Sequence, residues 1–251
     1  MIRTIQEAAL KMASLSIYKG ILKRTVPQAF YRLLQAGSRC AASCEDSNRI
    51  EFLEAWGCFF AELCQRGESE NFSRSLTQTA LFDENAFSLA AAGTVSEIPP
   101  TMKKAVERDL AIILELAQLT PSFLLTESRM DKFSLSLPEW GTGKPVELFQ
   151  TEPESCFRSL WEYYRCSGCG MYARYRAFIW RDKKILPVAH PDPQRLCELK
   201  GYEVPRGMAV DNTVAFLKGL PANNCLLYGD RGTGKSSTVK ALLNEFYTQG
   251  L

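Results

Sequence analysis

A single histidine, His190, occurs in 251 residues. It lies in a connector marked by Pro187, Pro191 and Pro193. With no second histidine it builds neither a catalytic triad nor a His-rich metal site, and a capping or solvent-facing role is expected. Charge of one sign is lacking too: 30 Lys+Arg stand against 28 Asp+Glu, a net charge of +2. That balance gives no global signal for nucleic acid or an anionic membrane, and neither is expected as a partner. No window approaches eighteen uninterrupted apolar residues; clusters such as Leu110 to Leu114 have the length of core-helix segments. Met1 to Gly20 carries Glu7 and Lys11 and no secretory apolar run. Internal repeats and low-complexity tracts are absent. The nine cysteines are an odd number with no secretory context, so free thiols in a reducing cytoplasm are expected.

What is present is a globular composition, 46% hydrophobic and 23% charged, in a mass that suits one large domain or two small ones. Residues 1–120 read as helical. Asn48 is a candidate cap with Glu51 three positions on. Phe52, Leu53, Trp56, Phe59, Phe60 and Leu63 then recur at spacings of three and four, and Gly67 follows. A second helix is expected from Thr101 to Leu119, with Met102, Val106, Leu110, Ile113 and Leu114 inward and Pro121 closing it. Another is expected over Leu76 to Leu89. Residues 121–192 look mixed. Phe133 to Leu137 alternates like a strand, 156–166 reads as a short helix, Tyr172 to Trp180 as a strand, and Asp182-Lys183 as a turn into Ile185 to Val188. The domain boundary is placed at the proline-rich connector.

The specific signal lies near the C-terminus. Gly229, Asp230, Arg231, Gly232, Thr233, Gly234, Lys235 and Ser236 match G-x-x-x-x-G-K-[ST], a pattern expected by chance about 0.007 times in a chain of this composition. Cys225 to Tyr228 before it is a short apolar run, as a buried parallel strand should be. Ser236 to Gln249 after it sets Val239, Leu242, Leu243 and Phe246 on one helical face, with Gly250 as a closing glycine. Strand, glycine loop and helix form a phosphate cradle. The glycines let the backbone wrap phosphates, the N–H groups of Gly232 to Ser236 point inward, and the helix dipole favours an anion. Lys235 would reach the outer phosphates of ATP, Ser236 would ligate Mg²⁺, and Ser237 would reach the α-phosphate. Gly141 to Lys144 repeats the letters GTGK, but Pro138 stands where the first glycine belongs and Pro145 replaces the hydroxyl. It reads as a turn.

Residues 196–249 resemble the opening of an AAA+ ATPase module. The resemblance rests on Leu196 to Glu203, Asn212 to Gly219 and Pro221 to Ser237. The wording is similar to a bacterial group of AAA+-like ATP-binding proteins without an assigned function, as are Tyr172 to Phe178, Trp180 and the stretch from His190 to Asp192. The resemblance implies that Gly201, Tyr202 and Glu203 line the adenine pocket. It also implies further strands, a Walker B acidic pair, a sensor, an arginine finger and a helical lid. Sixteen residues follow Lys235, too few for these. The expectation is therefore the N-terminal part of a longer protein, binding ATP without the hydrolytic machinery.

Cys166 and Cys169 form a lone CxxC. With Cys156, His190 and Cys197 at unhelpful spacings, packing or turn cysteines are expected rather than zinc or a redox pair. Cys40, Cys44, Cys58 and Cys64 read as packing residues on helices. Residues 163–184 mix Arg165, Arg174, Arg176, Arg181, Lys183 and Lys184 with Tyr172, Tyr175, Phe178 and Trp180. A half-buried hairpin with solvated arginines is expected there, ahead of a stacking surface. The fold class expected is α/β: a helical N-terminal region (1–120), a mixed segment (121–192), and the incomplete start of a parallel P-loop domain (193–251). The function expected is ATP binding, with a protein partner on the helical region. The alternative is a non-catalytic interaction module with a remnant P-loop tail.

Overall fold

The computed structural model describes residues 2–43, 45–93, 96–133 and 136–250. Two compact units follow one another, Met1–Gly170 and Met171–Leu251. The divide falls ahead of the proline-rich connector, because the connector and the residues just before it line a cleft with the last helix of the second unit.

The first unit is helical: α1 (Ile5–Ala13), a 3₁₀ segment (Ile17–Lys23), α2 (Thr25–Ala42), α3 (Asp46–Gln65), α4 (Phe72–Leu81), α5 (Ala86–Ala92), α6 (Pro100–Ala117), α7 (Pro121–Glu127) and α8 (Pro153–Ser167). The spacing of apolar residues on α3 becomes burial, with Phe52, Trp56, Phe59 and Leu63 inside. Its start differs from expectation. Asn48 lies within the helix, and its Nδ2 donates to Ser43 O at 3.2 Å. The single helix expected over 76–89 is two. Asn85 Oδ1 accepts from the N–H groups of Phe87 and Ser88, and Ser88 Oγ accepts from Asn85 N–H, so a reciprocal cap restarts the chain as α5. On α6, Pro100 occupies the first turn and Val106, Leu110 and Ile113 are buried.

Rings dominate the core. Phe30, Phe59 and Phe72 meet at centroid distances of 4.5–5.3 Å, and Trp140 closes on Phe59 and Trp56 at 4.8 Å. Each such pair adds about 0.5–1.5 kcal/mol beyond the area it buries. A buried carboxylate ties α6 to the N-terminal turns. Asp109 Oδ2 accepts from the N–H groups of Ser16, Ile17 and Tyr18 at 2.8, 2.8 and 3.1 Å. The second GTGK, Gly141 to Lys144, is not the turn expected but irregular backbone lying along the start of α4. Gly141 O and Thr142 O accept from the N–H groups of Phe72 and Ser73, so its carbonyls fill the N-terminus of α4. A segment whose carbonyls fill a helix start leaves no amides there for an anion.

Several expectations are corrected. Phe133 is exposed and outside any strand, while Ser134 and Leu135 of that alternating run lie outside the described residues, as does Cys44. Cys40 is buried, but Cys58 and Cys64 are exposed, because they sit off the inward stripe of α3. Among the described residues no single helix is long and apolar enough to cross a membrane, and α6 with α7 pass only as a pair bent by 90°.

The second unit contains α9 (Gly170–Arg174), β1 (Phe178–Arg181), β2 (Lys184–Pro187), a 3₁₀ turn (Leu196–Glu198), α10 (Glu203–Leu217), α11 (Lys235–Phe246) and a 3₁₀ end (Tyr247–Gln249). The strand expected from Tyr172 begins only at Phe178, since residues up to Arg174 are helical. The hairpin is present, antiparallel, with Trp180 opposite Ile185 and Arg181 opposite Lys184. Asp182 and Lys183 take φ of 51° and 60°, the left-handed pair that a two-residue turn demands. Its half-burial is not found: only Phe178 is partly covered and the other strand residues are exposed. Cys225 to Tyr228 is not a strand either. Among the described residues the hairpin is the one sheet, so this run has no neighbour to pair with. The buried apolar residues described in this unit are Ala209, Ala241 and Phe246.

Candidate functional site

Three glycines shape the loop from Gly229 to Gly234. Gly229, Gly232 and Gly234 take φ of 134°, 86° and 79°, conformations that side chains resist. A Cβ at Gly232 or Gly234 would meet nothing within 4 Å, so backbone freedom and not space selects glycine. Thr233 Oγ1 donates to Asp230 O at 2.9 Å and tightens the turn. Gly234 is the N-cap of α11, which starts at Lys235, one residue ahead of expectation.

Amides gather at this helix start. Among the described residues, none of the N–H groups of Arg231, Gly232, Thr233 and Gly234 bonds to the backbone. Those of Lys235, Ser236 and Ser237 lie in the first turn, where an α-helix has no internal acceptor for them. Such a cluster, reinforced by the helix dipole, favours an anion. The Lys235 side chain folds back across the loop. Its Nζ donates to Gly229 O at 3.0 Å, Asp230 O at 2.6 Å and Thr233 Oγ1 at 3.1 Å. The ammonium is thus fixed against the loop by neutral carbonyls and a hydroxyl. Ser236 is exposed at the second position of α11, free for a cation or solvent.

A cleft of about 430 Å³ opens beside the loop. Tyr202, Pro205 and Arg206 line one side; Tyr228, Gly229, Asp230, Thr233 and Lys235 line the other. The volume lies within the range of small-ligand pockets. Of the residues expected around a base, Tyr202 faces this cleft with its ring largely exposed. Gly201 and Glu203 flank it without lining it. Gly201 and Tyr202 both adopt left-handed backbone, φ 74° and 55°. At Tyr202 that conformation costs on the order of 1 kcal/mol. Arg206, one turn along α10, donates to Leu199 O at 2.7 Å and Gly201 O at 3.1 Å, holding the strained turn in place.

Residues 173–251, spanning the hairpin, α10, the loop and α11, match the profile of a family described as "Protein of unknown function (DUF815)". No curated protein and no solved structure matches the chain. The matched segment contains every residue of the loop and of the cleft.

Two residues that tie the helices beside the loop to neighbouring segments carry no motif signal. Asn212 on α10 accepts from Asn223 N–H at 2.9 Å and donates to Asn223 O at 2.8 Å, imitating one rung of a strand pair just ahead of the unpaired run. Asn244 on α11 donates to Asp192 O and Gln194 O, while Lys240 bonds Asp192 at 3.0 Å and holds its carboxyl below the usual range. Asparagines in these roles look like any polar helix residue in the sequence. The cysteine pair is split: Cys166 is exposed, and burial pushes the Cys169 thiol up, away from reactivity. Among the described residues no group of three or more metal-ligating side chains converges.

Proposed function

We propose that the segment from Gly229 to Ser237 binds the phosphates of ATP and that the chain is an ATP-binding protein of P-loop, AAA+ type. The observation that carries this reading is the Lys235 ammonium. It is held at 2.6–3.1 Å from three loop oxygens, in the residue that opens α11. Seven N–H groups without a backbone acceptor and one ammonium suit a polyanion. At 4 Å and an effective dielectric of 20, one such charge contact is on the order of 4 kcal/mol before desolvation is subtracted. The residues fit the expected groups. Gly232 to Ser236 would hold phosphate oxygens, Ser237 the α-phosphate, and the Ser236 hydroxyl an Mg²⁺ ion that supplies charge neutralisation. Tyr202, beside Gly201 and Glu203, would offer its ring to the base across the shared cleft. The helical first unit is then the surface for a protein partner.

Titration of a fluorescent ATP analogue with Mg²⁺ tests this. Removing one charge-assisted contact, worth about 1.5–3 kcal/mol, should weaken binding in Lys235→Ala by ten- to a hundredfold. Ser236→Ala should lose the Mg²⁺ dependence and keep metal-free binding. Equal affinity in wild type and Lys235→Ala removes the loop's role.

A second reading makes residues 1–190 a non-catalytic interaction module and the loop a remnant. The scant buried core of the second unit and the unpaired run Cys225 to Tyr228 favour it. If a chain ending at residue 195 binds its partner as the full chain does, and the full chain ignores ATP, this second reading holds.

A further inference from the structure

A two-stranded hairpin is marginal in water unless one face packs on something. Here the strand residues beyond Phe178 are exposed on both faces. Trp180 is 70% exposed, and Ile179, Ile185 and Leu186 are about two-fifths exposed. The ribbon is nonetheless well defined, with four cross-strand pairs and a left-handed two-residue turn. A tryptophan held out on such a ribbon is a mark of contact with something else.

Charge narrows the choice. Between Met171 and Val188, five basic residues (Arg174, Arg176, Arg181, Lys183, Lys184) face one acid (Asp182), a local +4 in a chain of net +2. The rung Arg181–Lys184 lies next to the rung Trp180–Ile185, about 3.4 Å along the strand. Side chains alternate faces along a strand, so Arg181 and Lys184 leave the ribbon on the face opposite Trp180; the cations edge the ring's end of the hairpin, with Lys183 in the turn, and do not share its face. Phe178 sits two residues from Trp180, on the same face of the pleat at about 6.8 Å. It packs on Tyr172, itself 49% exposed, at a centroid distance of 5.1 Å. Aromatic faces in file beside cations are the elements of sequence-tolerant single-strand binding.

We propose that the hairpin of β1 and β2 is a docking site for single-stranded nucleic acid, with Trp180 stacking on a base and Arg181, Lys183 and Lys184 meeting phosphates. A lipid surface fits less well. The hairpin tip is its charged end, Arg181 to Lys184, so tip-first insertion would bury charges before the apolar stem arrives. An acidic peptide would use the cations but leaves the aromatic file without a purpose. The proposal is independent of the nucleotide loop.

Fluorescence anisotropy of a labelled fifteen-nucleotide oligo-dT with the full chain tests it. Binding should weaken about tenfold or more in Trp180→Ala and be largely retained in Trp180→Phe. The double variant Arg181→Gln with Lys184→Gln should flatten the dependence of log affinity on log salt by about 1.4. Lys235→Ala should leave the titration unchanged. Any of four results overturns the proposal: no oligonucleotide binding; affinity unaltered by Trp180→Ala; equal binding of the double-stranded form or of polyglutamate; or binding confined to phosphatidylserine vesicles. Loss of binding in Lys235→Ala alone would move the phosphates to the glycine loop and overturn it as well.

Discussion

Asp109 is fully buried on α6 and serves as the common acceptor for the turn that follows α1. Its Oδ2 takes the N–H groups of Ser16, Ile17 and Tyr18 and the Ser16 hydroxyl, and its Oδ1 takes Arg108 at 3.1 Å. Asp109→Ala leaves three amides without an acceptor. The amide of Tyr18, whose side chain is fully buried, is the least able to recruit water. With about 1–3 kcal/mol per stranded buried donor and the two outer amides near the low end, the loss is about 3–5 kcal/mol. That is a large share of the roughly 5–15 kcal/mol that stabilises a typical domain. Urea unfolding followed by far-ultraviolet circular dichroism reads it. With a slope of about 1–3 kcal/mol per molar, the midpoint should fall by about 2 M. Asp109→Asn keeps one carbonyl acceptor and should cost less than half as much. A loss below about 1 kcal/mol for the alanine variant refutes the reasoning. An asparagine variant as unstable as the alanine one would show that charge, and not acceptor capacity, holds the turn.

Gly143 takes φ 62°, and a Cβ there would strike the Asn71 side chain that caps α4, so Gly143→Ala should lower stability by about 1–3 kcal/mol in the same urea assay. Burial pushes the Asp83 carboxyl up from its ordinary 3.8. The folded chain then holds that proton longer than the unfolded chain. Stability from this group is full below 3.8 and falls as pH rises through the higher folded value, and Asp83→Asn should remove that slope in a wild-type-minus-variant comparison across pH 3–7. Burial lifts the Cys156 thiol to about 12, and Cys40 and Cys169 are also covered. A disulfide reagent at pH 8 should therefore modify Cys58, Cys64, Cys166, Cys197 and Cys225 quickly and those three only on unfolding, as mass spectrometry of labelled peptides would show.

Periodicity read the first unit well where it was long and amphipathic. The stripe on α3 and the inward face of α6 carry their own geometry, because burial follows a 3.6-residue repeat. Boundaries were harder. The restart at Asn85 turns on a side-chain cap that competes with helix continuation, and a pattern of apolar residues does not register it. In the second unit, apolar runs misled. Cys225 to Tyr228 has the residue types of a buried strand, but a strand exists only with a partner, and partnership is non-local. The loop itself was legible because its requirements are local: glycines for positive φ, then a helix. What escaped were Arg206, Asn212 and Asn244, which tie α10 and α11 to the segments before and after them and whose roles depend on where those helices bring them.

The amides of the glycine loop are the heart of the functional reading, and hydrogen–deuterium exchange watches them directly. With saturating Mg²⁺ and ATP, exchange across residues 231–237 should slow markedly in the wild type and much less in Lys235→Ala. Unchanged exchange there under conditions that saturate any ATP binding, or protection appearing only elsewhere in the chain, would contradict the assignment.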